Sequence, residues 1–488
     1  MMADSRIEPK DWRAGTMLAL LVAFAFLVRA HDFGNPVIHV DEQYYLLVGD
    51  RMLSGALPYV DLWDRKPPGL FLIFAAIRLL PGDGILAYQI VATLIAGLTG
   101  WVVALAGRRL GARGIGAVAA GLAYILWLSF LSGRGGQSPV FYNLFMAVGG
   151  LLTLGLPARA ARDDRAGIVA SGAAACLLAG LAIQVKYTPA VEGAMFGLAH
   201  LWYLRRAGTR PAGVVLAGVA WAMLGAFPTL LAIGWYYAQG PAIFDAFRFA
   251  NFTSVTLRRG YPAAKIAARL AGTTAQLSVP VACAVASLRA RPLRPAVRLA
   301  ALWLIAAVIA FAMIGAFFDH YALPLLVPIA ILAAPTLGRY RAARWLLAGA
   351  AAILAVVHIA TESDERASAY GAARILAAHR DAGCPYVFAG DSVLYLLSRT
   401  CVPTPYAFPS TLAYEAERGA VGIDEAAEVA RILRARPPAI VTLDTPLAPW
   451  NADSQALVAA AVRRDYRLAG RFPREGRRLL VYVRRDLR

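Results

Sequence analysis

Charge is scarce in this chain, and lysine is scarcer still. Only 16% of the 488 residues are Asp, Glu, Lys or Arg, while 59% are hydrophobic. Soluble domains average nearer a quarter charged, so the shortage excludes an ordinary soluble domain. Of 49 basic residues only four are lysines, namely Lys10, Lys66, Lys186 and Lys265. A chain that uses arginine almost everywhere has kept few ammonium groups, and they mark places to look. A phosphate-cradling glycine loop is missing, as is any nucleotide-sugar motif. Also missing is a small-residue cleavage site behind the first apolar run, so that run reads as a retained span. The two halves show no matching pair of interrupted spans of the kind that marks transporters built from repeats.

What is present is a series of apolar runs long enough to cross a bilayer. They predict about eleven spans, near 15–31, 84–106, 114–131, 139–156, 167–184, 188–204, 212–235, 271–288, 298–317, 320–337 and 342–360. The formal net charge of +19 does not point to nucleic acid, because most of it lies in the short connections. With a cytoplasmic N-terminus, the inside segments hold Arg6/Lys10/Arg13, Arg108/Arg109/Arg113, Arg159/Arg162/Arg165, Arg205/Arg206/Arg210, Arg289/Arg291/Arg294/Arg298 and Arg339/Arg341/Arg344. The short outside loops near Gly133, Tyr187 and Asp319 are almost bare of them. That asymmetry predicts a multi-pass membrane protein with its N-terminus inside, and the membrane expected is a bacterial inner membrane.

The fold class expected is therefore an α-helical polytopic membrane protein with a small C-terminal α/β domain. Residues 1–360 form the membrane domain, with outer loops at 39–83 and 235–270, and residues 361–488 form a periplasmic domain. In that domain SAYGAARILAAHRD, DEAAEVARILRAR and SQALVAAAVRRDY read as helices, and PYVFAG, PAIVTLD and RLLVYVRR as strands. Cys384 and Cys401 flank its first strand–helix unit. They either pair in an oxidising compartment or stay separate core thiols, and the sequence leaves both readings open.

The first outer loop, HVDEQYYLLVGDRMLSGALPYVDLWDRKPPG, concentrates the charge that the rest of the chain lacks. Asp41 reads as the N-cap of a helix over about 42–53, with Glu42 in its first turn. Capping accounts for one carboxylate but not for two at the edge of a bilayer, where ionisable groups are costly. In WDRKPPG the two prolines suit the first turn of a helix. Its N–H groups, with Arg65 and Lys66 beside them, make a seat for a phosphate, the bland alternative being an interfacial helix with a snorkelling lysine. Together the halves suit attack on a carbon whose leaving group is a phosphate. A carboxylate takes the proton of an acceptor hydroxyl while cations steady the departing charge. The donor is expected to be a lipid that enters sideways between helices.

These residues resemble the GT-C-fold glycosyltransferases, the group containing protein O-mannosyltransferases and bacterial aminoarabinose–lipid A transferases. The resemblance rests on DEQYYLLVGDRMLSGALPYVDLWDRKPPG, GLAIQVKYTPAVE and HYALPLLVPIAILAA, in that order. It implies an inverting transferase that uses a polyprenyl-phosphate sugar at the periplasmic face. The family's acidic residue maps onto Asp41 with Glu42 as partner, and its phosphate-side lysine maps onto Lys66. Where the lipid A enzymes have an arginine after the acidic pair, this chain has Gln43, Tyr44 and Tyr45. Where they have an acidic residue just before the lysine it has Arg65, with Asp64 one step back.

Further candidates follow from position. Lys186, His320, Arg65, Arg258 and Arg259 are expected at the donor phosphate, and Tyr44, Tyr45, Asp64, Gln137 and Tyr321 at substrate. The aromatic and arginine-rich 235–270 loop reads equally as a closing flap or a rigid interfacial pair of helices. No cofactor is indicated, and a divalent cation is left open. The partners expected are the polyprenyl-phosphate sugar, a lipid, glycan or protein acceptor, and the membrane, with no nucleic acid. The rival functions are a lipid-linked-sugar flippase or transporter, a polysaccharide ligase, and a non-catalytic membrane subunit.

Overall fold

The computed structural model describes residues 12–258, 260–289, 292–361 and 363–487. Arg6, Lys10, Arg259 and Arg291 lie outside the described residues. The chain is a polytopic helical membrane protein. Among the described residues nine helices are long and apolar enough to cross a bilayer. Each expected span coincides with a helix, but two fall short of that measure. Gly114–Phe130 is apolar yet only 17 residues long. Pro189–Arg206 is diluted by Glu192, His200, Arg205 and Arg206.

The chain folds as two compact units. The first contains the residues up to His31, Val91–Leu230 and Ala263–Thr361. It packs helices through small residues, as association without a hydrophobic drive requires. A side chain at Gly116 would collide with the backbone of Ala334 and Gly338, so glycine lets the two helices touch. Arg29, wholly buried at the end of the first helix, donates to the carbonyls of Gly133 (2.6 Å) and Gly135 (2.7 Å) and to Thr93 Oγ1 (3.0 Å). Glu192 accepts from Trp303 Nε1 at 2.5 Å. Both of these buried groups thus find partners inside the protein.

The second unit gathers three separated stretches: Asp32–Ile90, Leu231–Pro262 and the region beyond Thr361. Its last stretch holds one sheet, β1 (Tyr386–Val387), β2 (Ala439–Leu443), β3 (Tyr466–Arg474) and β4 (Arg477–Arg484), in the order β1-β2-β4-β3. The β1–β2 pair is parallel and the others antiparallel. Three strands were expected, and β3 is the addition. Its register shifts at Leu468/Gly470 and it carries Pro473, features that blur an alternating pattern and belong on an edge strand. The helices expected beside the sheet are present at Arg366–Ala378, Glu425–Arg434 and Ala452–Asp465. Cys384 and Cys401 are joined by a disulfide with Cα atoms 5.0 Å apart.

Candidate active site

The first outer loop builds its site on two short helices, Val40–Met52 and Pro68–Arg78. The first begins earlier than the sequence suggested, and its cap is not Asp41. His39 adopts extended backbone and its Nδ1 accepts from the Asp41 amide at 3.2 Å, so an imidazole does the capping. Asp41 is released from that task and stands in the first turn, its side chain 15% exposed and its Oδ2 4.0 Å from His39 Nδ1. Burial lowers the His39 pKa, opposed mainly by the charge of Asp41.

Glu42 turns the other way. It is fully buried, and Tyr88 donates its hydroxyl to Oε1 at 3.2 Å. The adjacent carboxylates therefore occupy different surroundings, one at an accessible edge and one in the core. Tyr44 is also buried and donates to the carbonyls of Trp63 (3.0 Å) and Pro405 (3.4 Å), which ties the loop down. Tyr45 is buried against Phe71 and Phe74.

Lys66 is delivered by a local turn. Asp64 Oδ1 accepts from the amides of Arg65 (2.5 Å) and Lys66 (3.0 Å), and Tyr59 donates to the Lys66 carbonyl at 2.7 Å. Pro67 and Pro68 then start the next helix, as the sequence predicted. The Lys66 ammonium lies 5.4 Å from the Tyr45 ring centroid, within cation–π range. Burial raises the Asp64 pKa, while Lys66 and the two amides pull it down and Asp41 pushes it up. Asp41 and Lys66 also act with opposite sign on Tyr45 and on His39. The carboxylate and the ammonium therefore share one electrostatic neighbourhood.

Arg65 and Arg258 are engaged elsewhere in the same unit. Glu417, 4% exposed, takes Arg65 on Oε2 at 2.7 Å and Arg258 on Oε1 at 2.6 Å. Arg65 further donates to Ser254 Oγ (3.2 Å) and the Ala420 carbonyl (3.0 Å) and lies 4.7 Å from the Trp63 ring centroid. The 235–270 segment is helical at Pro241–Arg248, and Phe247 stacks on Tyr236 at 4.4 Å with Tyr59 at 5.5 Å. Glu417 was not foreseen, since it sits far along the chain with no local signature.

The first unit assembles its own group of expected residues. The Lys186 ammonium lies 4.2 Å from the Tyr321 ring centroid, and the His320 ring meets Tyr321 edge-on at 4.6 Å. His320 also stacks with Phe318 (5.7 Å), over which the Arg269 guanidinium lies at 3.8 Å. Arg269 had no assigned role from sequence. Gln137 is buried at the start of the Ser138–Leu154 helix. Among the described residues no group of three or more His, Cys, Asp or Glu is arranged to hold a metal ion.

Comparison with solved structures establishes the fold. The chain is similar to the crystal structure of ArnT from Cupriavidus metallidurans bound to undecaprenyl phosphate, with a TM-score of 0.54 and 17% identity over 96% of this chain and 98% of that one. The apo structure of the same protein gives a TM-score of 0.54 and 16% identity over the same shares. The chain thus has the GT-C architecture expected from its motifs. No protein-family model matches the sequence. No curated protein matches it either.

Proposed function

We propose that this GT-C-fold membrane protein is a glycosyltransferase that moves a sugar from a polyprenyl-phosphate donor to an acceptor hydroxyl at the periplasmic face of the inner membrane. The observation that carries the reading is that Asp41 stands in the first turn of the Val40–Met52 helix and the Lys66 ammonium lies 5.4 Å from the ring of Tyr45 on that same helix. The similar ArnT structure is bound to undecaprenyl phosphate, which supports the choice of donor. The arginine-rich connections support the orientation.

In this mechanism Asp41 accepts the proton of the acceptor hydroxyl as its oxygen bonds to the anomeric carbon. The carbon–oxygen bond to the phosphate breaks on the opposite side, inverting the centre, and polyprenyl phosphate departs with the electron pair. Lys66 meets the charge that gathers on the leaving phosphate, and the positive end of its proline-started helix adds to that field. Within the first unit, Lys186 with Tyr321 and His320 beside it keeps the phosphate-contact role expected of it. Glu42 and Tyr44 act by holding the loop. A lipid, lipid A, a glycan or a protein supplies the acceptor.

The test uses the full chain in lipid nanodiscs with a panel of undecaprenyl-phosphate-linked sugars and extracted envelope lipids and glycans. Mass spectrometry is expected to find one donor reduced to undecaprenyl phosphate and one acceptor heavier by that sugar. Asp41→Asn should abolish transfer while leaving undecaprenyl phosphate binding intact. Turnover equal to wild type in that variant removes Asp41 from the mechanism. A wild-type protein that discharges none of the donors removes the transferase reading itself.

A further inference from the structure

Beside the groups that the proposed chemistry uses lies a buried ionic cluster that it does not. Arg474 ends β3 and is 8% exposed. Its guanidinium forks onto Asp391, with Nε to Oδ2 and Nη2 to Oδ1 both at 2.8 Å. It also reaches Glu365 Oε2 at 2.7 Å and Glu475 Oε1 at 2.8 Å. Burial works against this cation, but Asp391, Glu475 and Glu365 outweigh it and hold its pKa above the ordinary guanidinium value. The turn after β3 is tight, with Glu475 at φ 50° and Gly476 at φ 71°, so Arg474 stands on a rigid hairpin tip.

The cluster has one further member. Gln43 Nε2 donates to Asp391 Oδ1 at 3.0 Å, and Gln43 is 1% exposed. An ionised carboxylate only accepts, so the amide's NH₂ must face Asp391. Gln43 is two residues beyond Asp41, in the opening turn of the same helix. Arg474 and Glu475 also act, with opposite sign, on His39, the cap of that helix. The last hairpin of the chain thus reaches the first loop through Arg474, Asp391 and Gln43.

We infer that Gln43 and Arg474 are positioning residues for Asp41, fixing the turn that carries the base through the bidentate Arg474–Asp391 fork. The inference rests on the glycosyltransferase reading and gives the C-terminal region a part in it. A buried ion cluster is a weak source of stability, because apolar residues of the same shape serve as well. What a guanidinium–carboxylate fork supplies is a defined angle. A general base needs that angle, since a misplacement of about 1 Å can cost on the order of 100-fold in rate.

Two variants test it in the full chain in nanodiscs. Gln43→Leu cuts the tether and leaves the fork, while Arg474→Lys keeps the charge and loses the fork. One readout is hydrogen exchange of the backbone amides at 40–45, and the other is kcat against KM with whichever undecaprenyl-phosphate sugar the wild type uses. Gln43→Leu should speed exchange there about tenfold. It should lower kcat about tenfold with KM changed by less than about twofold. Arg474→Lys should move both readouts in the same direction, and the double variant should lose little more than the worse single one. Unchanged exchange in Gln43→Leu, a rise in KM at constant kcat, or losses that multiply in the double variant would each overturn the inference. The exchange arm needs no turnover. Faster exchange in a protein that uses no donor keeps the tether and discards the transferase reading.

Discussion

Replacing Lys66 by methionine keeps the side chain's length and removes its charge, which exposes what that charge does for Asp64. Asp64 is 8% exposed, and burial has already raised its pKa against the pull of Lys66. Without the ammonium the pKa rises further. A carboxyl group whose folded pKa exceeds its unfolded value binds extra protons in the folded chain, so stability falls as pH climbs through the interval between the two. Lys66→Met extends that interval upward. Removing a nearby cation from a buried carboxylate resembles breaking a buried pair, which costs about 3–5 kcal/mol, and with Lys66 only half-buried the lower end, about 3 kcal/mol at neutral pH, is expected. For a unit of this size each kcal/mol moves Tm by about 2–4 °C, so a fall of about 10 °C is expected. Thermal unfolding in detergent between about pH 4.5 and 8 measures it, the deficit growing toward the alkaline end. Adding Asp64→Asn keeps an acceptor for the amides of Arg65 and Lys66 and should recover at least about half of the lost stability. It should not recover sugar transfer, because the donor phosphate still lacks its cation. A deficit independent of pH, or losses that simply add in the double variant, refutes the pairing of Asp64 with Lys66.

Two further outcomes follow from the second unit. The His39 pKa is lowered by burial, so the stability tied to its neutral form is present above about pH 6.5 and is lost as pH falls through the folded value. His39→Asn keeps a cap acceptor and removes the titration, so unfolding below about pH 6.5 should lose part of its slope; an unchanged slope contradicts the capping role. Cys384 and Cys401 close a loop with a sequence separation of 17. Losing that closure should cost about 3 kcal/mol. Cys384→Ser/Cys401→Ser and reductant should lower the wild-type Tm alike, and insensitivity of the wild type to reductant refutes the bridge's contribution.

The membrane helices were legible because crossing a bilayer demands a long apolar run, and every such run became a helix. The KPP start of the Pro68–Arg78 helix was legible for a similar reason, since the fixed φ and missing N–H of proline cost least in the first turn. Capping of the first-loop helix was misread because Asp is the stronger cap in isolation. Whether His39 or Asp41 supplies the acceptor depends on where the preceding backbone is held, which local preference does not specify. Strand β3 was missed because its bulge and Pro473 interrupt alternation. Arg65 and Arg258 carry the charge a phosphate needs, and nothing near them in the chain reveals that Glu417 holds both.

By itself the sequence determined a membrane-embedded helical protein with a charged first loop, because hydropathy, loop charge and proline placement act over a few turns of chain. Only the tertiary structure decided which charges meet. It folds the first loop, the 231–262 segment and the region beyond Thr361 into one unit. It sends Glu42 into the core and leaves Asp41 partly exposed in the first turn of the helix, beside His39. It also brings Arg474 and Asp391 to Gln43. Those partners lie more than 300 residues from the first loop, and electrostatic contact is a matter of distance in space, which no local pattern records.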